Sequence, residues 1–236
     1  MSKMNSPQEI TLGLNRRRFI YYSAIAATAA AITGCASSRK RVVSPNEKLN
    51  IASIGVGGKG ASDLDGAAEG QNIVALCDVD ETTLRKAAQK FPRAKLYRDY
   101  RKMLDEQKDI EAVTVSTPDH QHFLPSMMAI QRGKHVYCQK PLTHTIWEAR
   151  QLTEAARKYK VATQMGNQGH AHEGNRELCE IIWSGAIGDI SEVHCWTNRP
   201  IWPQGMNRPA GQDPVPANLD WDLWIGPAPW RPFNSV

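Results

Sequence analysis

Apolar residues in this chain follow two alternating patterns between Lys48 and Met165. Short unbroken runs, bounded by glycine, proline or charge, read as buried strands; between them apolar positions recur every three to four residues, as on one helix face. The runs are LNIASI (49–54), Ile73–Cys77, Ala94–Tyr97, Ile110–Ser116, Lys134–Cys138 and Val161–Met165. Helical periodicity covers 81–90, Arg98–Glu106, the stretch leading to Arg132, and Thr145–Tyr159. Six strands separated by helices predict an α/β fold built on a doubly wound parallel sheet with right-handed crossovers, spanning 48–165. Residues 166–236 read as the start of a second, α+β domain with an open sheet. They offer one further strand-like run, ISEVHCW (190–196), and an extended stretch rich in proline and tryptophan, DPVPANLDWDLWIGPAPWRPFNSV.

The first strand breaks into IGVGGKG. Gly55, Gly57 and Gly60 fit the spacing G-x-G-x-x-G, and Gly58 shares the turn. In such a turn the first glycine permits the bend, the second lets a pyrophosphate approach the backbone, and the third lets the helix sit close on the strand. Context strengthens this short motif. The second strand ends on Asp78, eighteen residues after Gly60, where a carboxylate can accept both hydroxyls of an adenosine ribose and repel a 2′-phosphate. Asp78 could instead cap the helix that follows, although Asp80 is better placed to do so. The order strand, glycine turn, helix, strand, acid predicts a Rossmann dinucleotide site that takes NAD in preference to NADP.

Ligands of such sheets bind beyond the carboxyl ends of the strands. Three strand ends carry chemistry here: STPDHQH, CQKPLTH and QMGNQGH. Pro118 after Thr117 would bring backbone near the nicotinamide, and His122 is assigned to cofactor binding with them. Lys140, with Gln139 beside it, sits where a substrate hydroxyl could meet the nicotinamide, and a lysine there can hold or relay the proton of an alcohol. It could equally cap a carbonyl or pair with a carboxylate; spacing does not choose. Asn167 and Gln168 are candidates for nicotinamide or substrate. Trp196, Arg199 and Trp202 follow a strand-like run: Arg199 and Trp202 are assigned to substrate, with packing at an inter-domain seam as the alternative. His120 with His122, and His170 with His172 and Glu173, have spacings that could ligate a metal; polar strand-end residues are the simpler account, and no metal is expected.

These motifs carry a resemblance. IGVGGKG, the TPDHQH turn and the Lys140-Pro141 turn, in this order and spacing, resemble the Gfo/Idh/MocA oxidoreductases over residues 48–236. The resemblance implies oxidation or reduction of sugars or polyols with NAD or NADP, and it places the catalytic lysine of a Glu-Lys-Pro motif on Lys140. Glutamine at 139 departs from that motif: it removes an anion that would favour protonated lysine, so Lys140 is expected to give up its proton more readily. The resemblance also implies an acid–base pair from the second domain. The last histidine here is His194, and the chain is expected to hold only the opening part of that domain. A homo-oligomer is implied where the whole substrate domain is present.

The formal net charge of +5 lies in the N-terminal 47 residues: +3 from Lys3, Arg16, Arg17 and Arg18 against Glu9, and +2 from Arg39, Lys40 and Arg41 against Glu47. The remainder is close to neutral, so no nucleic-acid partner is expected. Residues 1–35 read as a Tat-type export signal: Arg16 and Arg17 precede Phe19 and an apolar run from Tyr21 to Ile32, too short to span a bilayer. Ile32-Thr33-Gly34-Cys35 resembles a lipobox. Export to the periplasm is expected, with membrane attachment only through the signal or a lipid on Cys35, and 36–47 as a tether. Cys77, Cys138, Cys179 and Cys195 lie in apolar runs without paired spacing and read as buried hydrophobes. The leading expectation is an exported oxidoreductase acting on a secondary hydroxyl of a sugar or cyclic polyol, with tightly held, recycled NAD. The alternatives are an NAD-dependent glycosidase that oxidises its sugar transiently, and a non-catalytic nucleotide- or sugar-binding lipoprotein.

Overall fold

The computed structural model describes residues 47–199 and 205–235. The export signal, Cys35 and Trp202 lie outside the described residues. Six strands form one sheet, all parallel: β1 (Asn50–Ile54), β2 (Asn72–Cys77), β3 (Lys95–Tyr97), β4 (Ala112–Val115), β5 (His135–Gln139) and β6 (Thr163–Gly166), in the order β3-β2-β1-β4-β5-β6. This is a doubly wound parallel sheet, as expected from the alternation, and its strand order reverses between β1 and β4. Each strand begins and ends within two residues of the bounds read from the apolar runs.

The helices follow from local chemistry. α1 is Lys59–Ala67, α2 Glu81–Lys90, α3 Tyr100–Glu106, α4 Phe123–Gln131 and α5 Ile146–Tyr159. Asp80 and Asp99 cap α2 and α3 by accepting from Thr82 N and Arg101 N. Thr145 and Glu148 form a reciprocal capping box at the start of α5. Buried side chains divide into two clusters. Ala52, Val113, Val136 and Leu152 belong to the larger, and Leu64, Leu76 and Leu84 to the smaller. Burial of this kind stabilises by about 25 cal/mol per Å² of apolar surface.

Beyond β6, a helix α6 (Glu173–Trp183) is followed by residues 190–199, which form no strand. The strand expected over ISEVHCW is therefore not made: among the described residues it has no partner strand, and its apolar Val193 and Trp196 are exposed. The cysteine expectation also divides. Cys77 and Cys138 are buried, and burial pushes the Cys138 thiol up to about 11 and Cys77 well above its usual value. Cys179 is only half-buried and Cys195 is exposed, so neither is a core residue. A last short helix, α7 (Trp221–Ile225), lies within a segment that returns to the Rossmann part.

Candidate functional site

The carboxyl ends of β1, β2 and β4 surround a cavity of about 400 Å³. Gly55 (φ 78°) begins its floor, and a Cβ there would lie 2.6 Å from Ser116 O. Gly60 lets α1 approach the turn: its Cβ would fall 2.0 Å from Gly55 O. Gly58 is the N-cap of α1, which has neither a side-chain cap nor an acidic residue in its first turn. The positive end of the helix dipole is thereby left for an anion, next to the cavity that Gly57 lines.

Asp78 lines the same cavity from the end of β2. Its Oδ2 accepts from Val56 N at 2.9 Å and its Oδ1 from Asp80 N at 3.0 Å. Burial raises its carboxyl above the ordinary range, and these amides oppose the rise only in part. Each oxygen retains a lone pair for a ribose hydroxyl. The capping role belongs instead to Asp80. Burial pushes the Asp80 carboxyl up, but hydrogen bonds from Asn218, Thr83 and the α2 amides outweigh it and hold the group below its usual value.

Thr117 and Pro118 complete the group that the sequence placed together. Thr117 Oγ1 is buried without a hydrogen-bond partner among the described residues. The fit to a dinucleotide is therefore direct: a turn where only glycine is admitted, an uncapped helix start, a strand-end carboxylate and an orphaned hydroxyl.

Replacing Asp78 with asparagine is expected to weaken NAD by roughly 10- to 100-fold, the worth of hydrogen bonds to a charged acceptor, and to narrow the preference over NADP. Wild-type affinity should be full above the raised carboxyl pKa and fall as pH drops through it, beginning above the ordinary aspartate value of about 3.9. Calorimetric titration of both proteins across acid pH checks this: the variant should lack the acid limb.

Three expected cofactor or catalytic residues are placed differently from the cavity lining. His122 is 1% exposed, with Nε2 2.8 Å from Thr117 O and Nδ1 2.5 Å from Pro141 O. Both ring nitrogens are occupied, so His122 is a strut between the β4 and β5 ends and does not face the cavity. Gln139 is also buried; its Oε1 accepts from Lys140 N at 2.9 Å and its Nε2 donates to Asp63 at 3.0 Å. It holds the turn from behind. Lys140, joined to Pro141 by a cis peptide, stands exposed at the end of β5.

Asp63 was missed in the sequence, where it looked like one more polar position on a helix. Its side chain is 4% exposed, pairs with Lys59 Nζ at 2.5 Å, and accepts from Ser116 Oγ at 2.8 Å as well as from Gln139. This corrects the premise that glutamine at 139 empties the site of its carboxylate: the charge stands one hydrogen bond behind, on α1. Gln139→Glu alone would set two carboxylates about 3 Å apart, which cannot both ionise. We expect it to cost about 1–3 kcal/mol and several degrees of Tm, and the double variant Asp63→Asn, Gln139→Glu to recover most of that loss. Thermal unfolding of the wild type and the two variants checks the coupling.

Asn167 and Gln168 lie apart from the nucleotide cavity, in an open depression of about 580 Å³ shared with Tyr137 and His170. The Gln168 amide, in the orientation that satisfies both of its ends, donates to Gly166 O at 2.9 Å and accepts from Gln139 Nε2, Lys59 Nζ and Tyr137 Oη. Arg199 is exposed on the irregular stretch after α6 and is not brought to the cavity. The sequence also missed one side of the cavity, formed by Leu219, Leu223 and Trp224.

The family model described as "Oxidoreductase family, NAD-binding Rossmann fold" (Gfo/Idh/MocA) matches residues 49–167. Inositol 2-dehydrogenase of Salmonella typhimurium is 31% identical over 150 residues, covering 62% of this chain and 44% of that protein. D-apiose dehydrogenase of Paraburkholderia graminis is 34% identical over 127 residues, covering 53% of this chain and 32% of that one. The chain thus spans less than half the length of these two curated relatives. Among solved structures, myo-inositol 2-dehydrogenase from Lactobacillus plantarum superimposes with a TM-score of 0.56 at 26% identity, over 61% of this chain and 43% of that one. Scyllo-inositol dehydrogenase from Lactobacillus casei, with bound NAD(H) and scyllo-inositol, gives 0.55 at 22% identity over 61% and 43%, a likeness of fold.

Proposed function

Because this chain belongs to the Gfo/Idh/MocA oxidoreductase family through its NAD-binding Rossmann fold, we propose that it oxidises or reduces a secondary hydroxyl of a sugar or cyclic polyol. The single observation that carries this reading is the placement of Lys140. It stands at the end of β5, beside the β4 loop that lines the nucleotide cavity, on a turn fixed from beneath by Gln139 and Asp63. NAD, when bound, supplies the hydride acceptor. The protein's own part is to orient and to move a proton: Lys140 Nζ takes the hydroxyl proton as the carbinol carbon gives up its hydrogen, and returns it in the reverse direction. His122 packs between the two strand ends, with one ring nitrogen beside Thr117 O and the other beside Pro141 O. Asn167 offers its amide to further hydroxyls from the depression beside Tyr137, and Arg199 and Trp202 are proposed for substrate from their place in the sequence alone. The relatives named as inositol and apiose dehydrogenases support a polyol or sugar as substrate.

The same proposal includes export on the Arg16-Arg17 signal and lipid attachment at Cys35. Nicotinamide cofactors are scarce outside the cytoplasm, so the protein would carry its NAD out already bound and recycle it within one catalytic cycle. Native mass spectrometry of protein purified without added nucleotide tests this: retained NAD that does not exchange with labelled NAD during turnover is the expected result. Free exchange on the turnover timescale would rule out the closed cycle.

A further inference from the structure

The sequence from Pro216 to Gly226 lies beyond the stretch matched by the family model, and in the structure it docks on the nucleotide cavity. The docking is built from both segments that meet there. Glu81 N donates to Asn218 O at 2.9 Å, Asp220 N to Val79 O at 3.0 Å, and Asn218 Nδ2 to Asp80 Oδ1 at 2.7 Å. At the other end Gln121 Nε2 donates to Leu223 O and Trp224 O, and His120 Nε2 lies 2.9 Å from Trp224 O. Gln121 and His120 follow β4, whereas Val79 to Glu81 follow β2. The segment therefore bridges the β2 loop, which begins with Asp78, and the β4 loop, which carries Thr117 and Pro118; all three residues line the cavity.

Its own fold is set locally. Asp220 caps α7 by accepting from Leu223 N at 3.0 Å, and Trp221 stacks on Trp224 with centroids 4.8 Å apart. Trp221 also meets Phe233 edge-on and donates to Arg231 O, which ties the helix to the segment after it. Ile225 is 3% exposed. The consequence is that Leu219, Leu223 and Trp224 face the cavity across from Gly57, Asp78 and Thr117. Two aliphatic side chains and an indole, opposite a carboxylate suited to a ribose, make an apolar slot for a flat base. The cavity volume of about 400 Å³ falls within the range of small-ligand clefts, about 300–1,000 Å³.

We propose that residues 216–226 form a strap that closes the adenosine half of the NAD site, with Leu223 and Trp224 packing on the adenine and the strap's anchors setting how slowly NAD leaves. This rests on the assignment of the cavity to NAD and deepens it. The strap holds the cofactor by its non-reacting end, leaving the nicotinamide and Lys140 to the chemistry.

The test is binding, read separately from turnover. Leu223→Ala and Trp224→Ala should weaken NAD and AMP by about 10- to 100-fold, as expected for losing base stacking, while nicotinamide mononucleotide binds as in wild type. Asn218→Ala, which touches Asp80 and not the cavity, should speed NAD release in a chase experiment without changing the AMP contact surface. A merely structural strap would weaken AMP and nicotinamide mononucleotide alike, and that result would overturn the proposal. Unchanged NAD and AMP affinities in both cavity-facing variants would overturn it too, and if Trp224→Ala fails to fold, Leu223→Ala decides alone. Wild-type protein that binds neither NAD nor AMP would instead remove the cofactor assignment on which the strap rests.

Discussion

Replacing Lys140 with alanine should lower hydride transfer by roughly 10²- to 10⁴-fold while NAD remains bound, because positioned proton transfer contributes about that much to rate. The separation of the two effects follows from the geometry. Lys140 does not line the nucleotide cavity, which is formed by the β1, β2 and β4 ends and the 219–224 turn. Its backbone N–H donates to Gln139 Oε1, a bond that alanine keeps. Lys140→Arg retains the charge, but a guanidinium does not exchange a proton with substrate as an amine can, so it should fare little better than alanine. Stopped-flow reduction of bound NAD by a polyol such as myo-inositol, with NAD affinity measured in parallel, checks both halves. A variant that loses NAD and activity together would show Lys140 to be a cofactor-binding residue instead.

The largest effect expected from a single methyl group is at Gly60. A Cβ there would lie 2.0 Å from Gly55 O and 3.2 Å from Ser116 Cβ. The first is a backbone atom of the turn itself, so no side-chain rotation relieves the clash. Either α1 moves off the strand or Gly55 leaves its place over Ser116 O, and both displace the helix start from the cavity. Hydrogen bonds from the turn to a charged pyrophosphate are worth about 1.5–3 kcal/mol each, so we expect Gly60→Ala to weaken NAD by roughly 10- to 100-fold or more. Gly66→Ala on the same helix is the control: nothing lies within 4 Å of its added Cβ. Alanine there should be neutral or slightly stabilising, since glycine inside a helix costs about 0.5–1 kcal/mol relative to alanine. Equal NAD affinity in both variants would mean that the glycine turn does not hold the pyrophosphate.

What the sequence disclosed and what it withheld separate by distance along the chain. The sheet was legible because each buried strand is a short apolar run with its own turn residues, and alternation with helices makes it parallel and doubly wound; the order 3-2-1-4-5-6 comes from the structure. Gly55, Gly60 and Asp78 were legible because the fingerprint is local. The strap was not, because its anchors join residues far apart: Asn218 to Asp80 is 138 positions and Gln121 to Leu223 is 102. Nothing in a proline- and tryptophan-rich stretch says which distant loop it will meet.

Asp63 was hidden for a related reason. On α1 it has the spacing of a solvated face, and it becomes buried only because Gln139, 76 residues away, and Ser116 close over it. His122 misled in the opposite direction. A histidine at a strand end invites a role towards ligand, yet two carbonyl oxygens claim its ring. The run 190–196 shows the limit of pattern alone: a short run rich in apolar residues reads as a strand, but a strand needs a neighbour to pair with, and the described residues supply none there.

The most direct measurement is a single-turnover mixing of the NAD-bound protein with myo-inositol, unlabelled and then deuterated at its carbinol carbons, followed at the reduced-nicotinamide absorbance band. Growth of the band, slowed by deuterium and nearly abolished in Lys140→Ala, is the predicted result. A protein that binds NAD and inositol tightly but shows no reduction with any polyol or sugar would contradict the account and leave a nucleotide-binding protein without hydride chemistry.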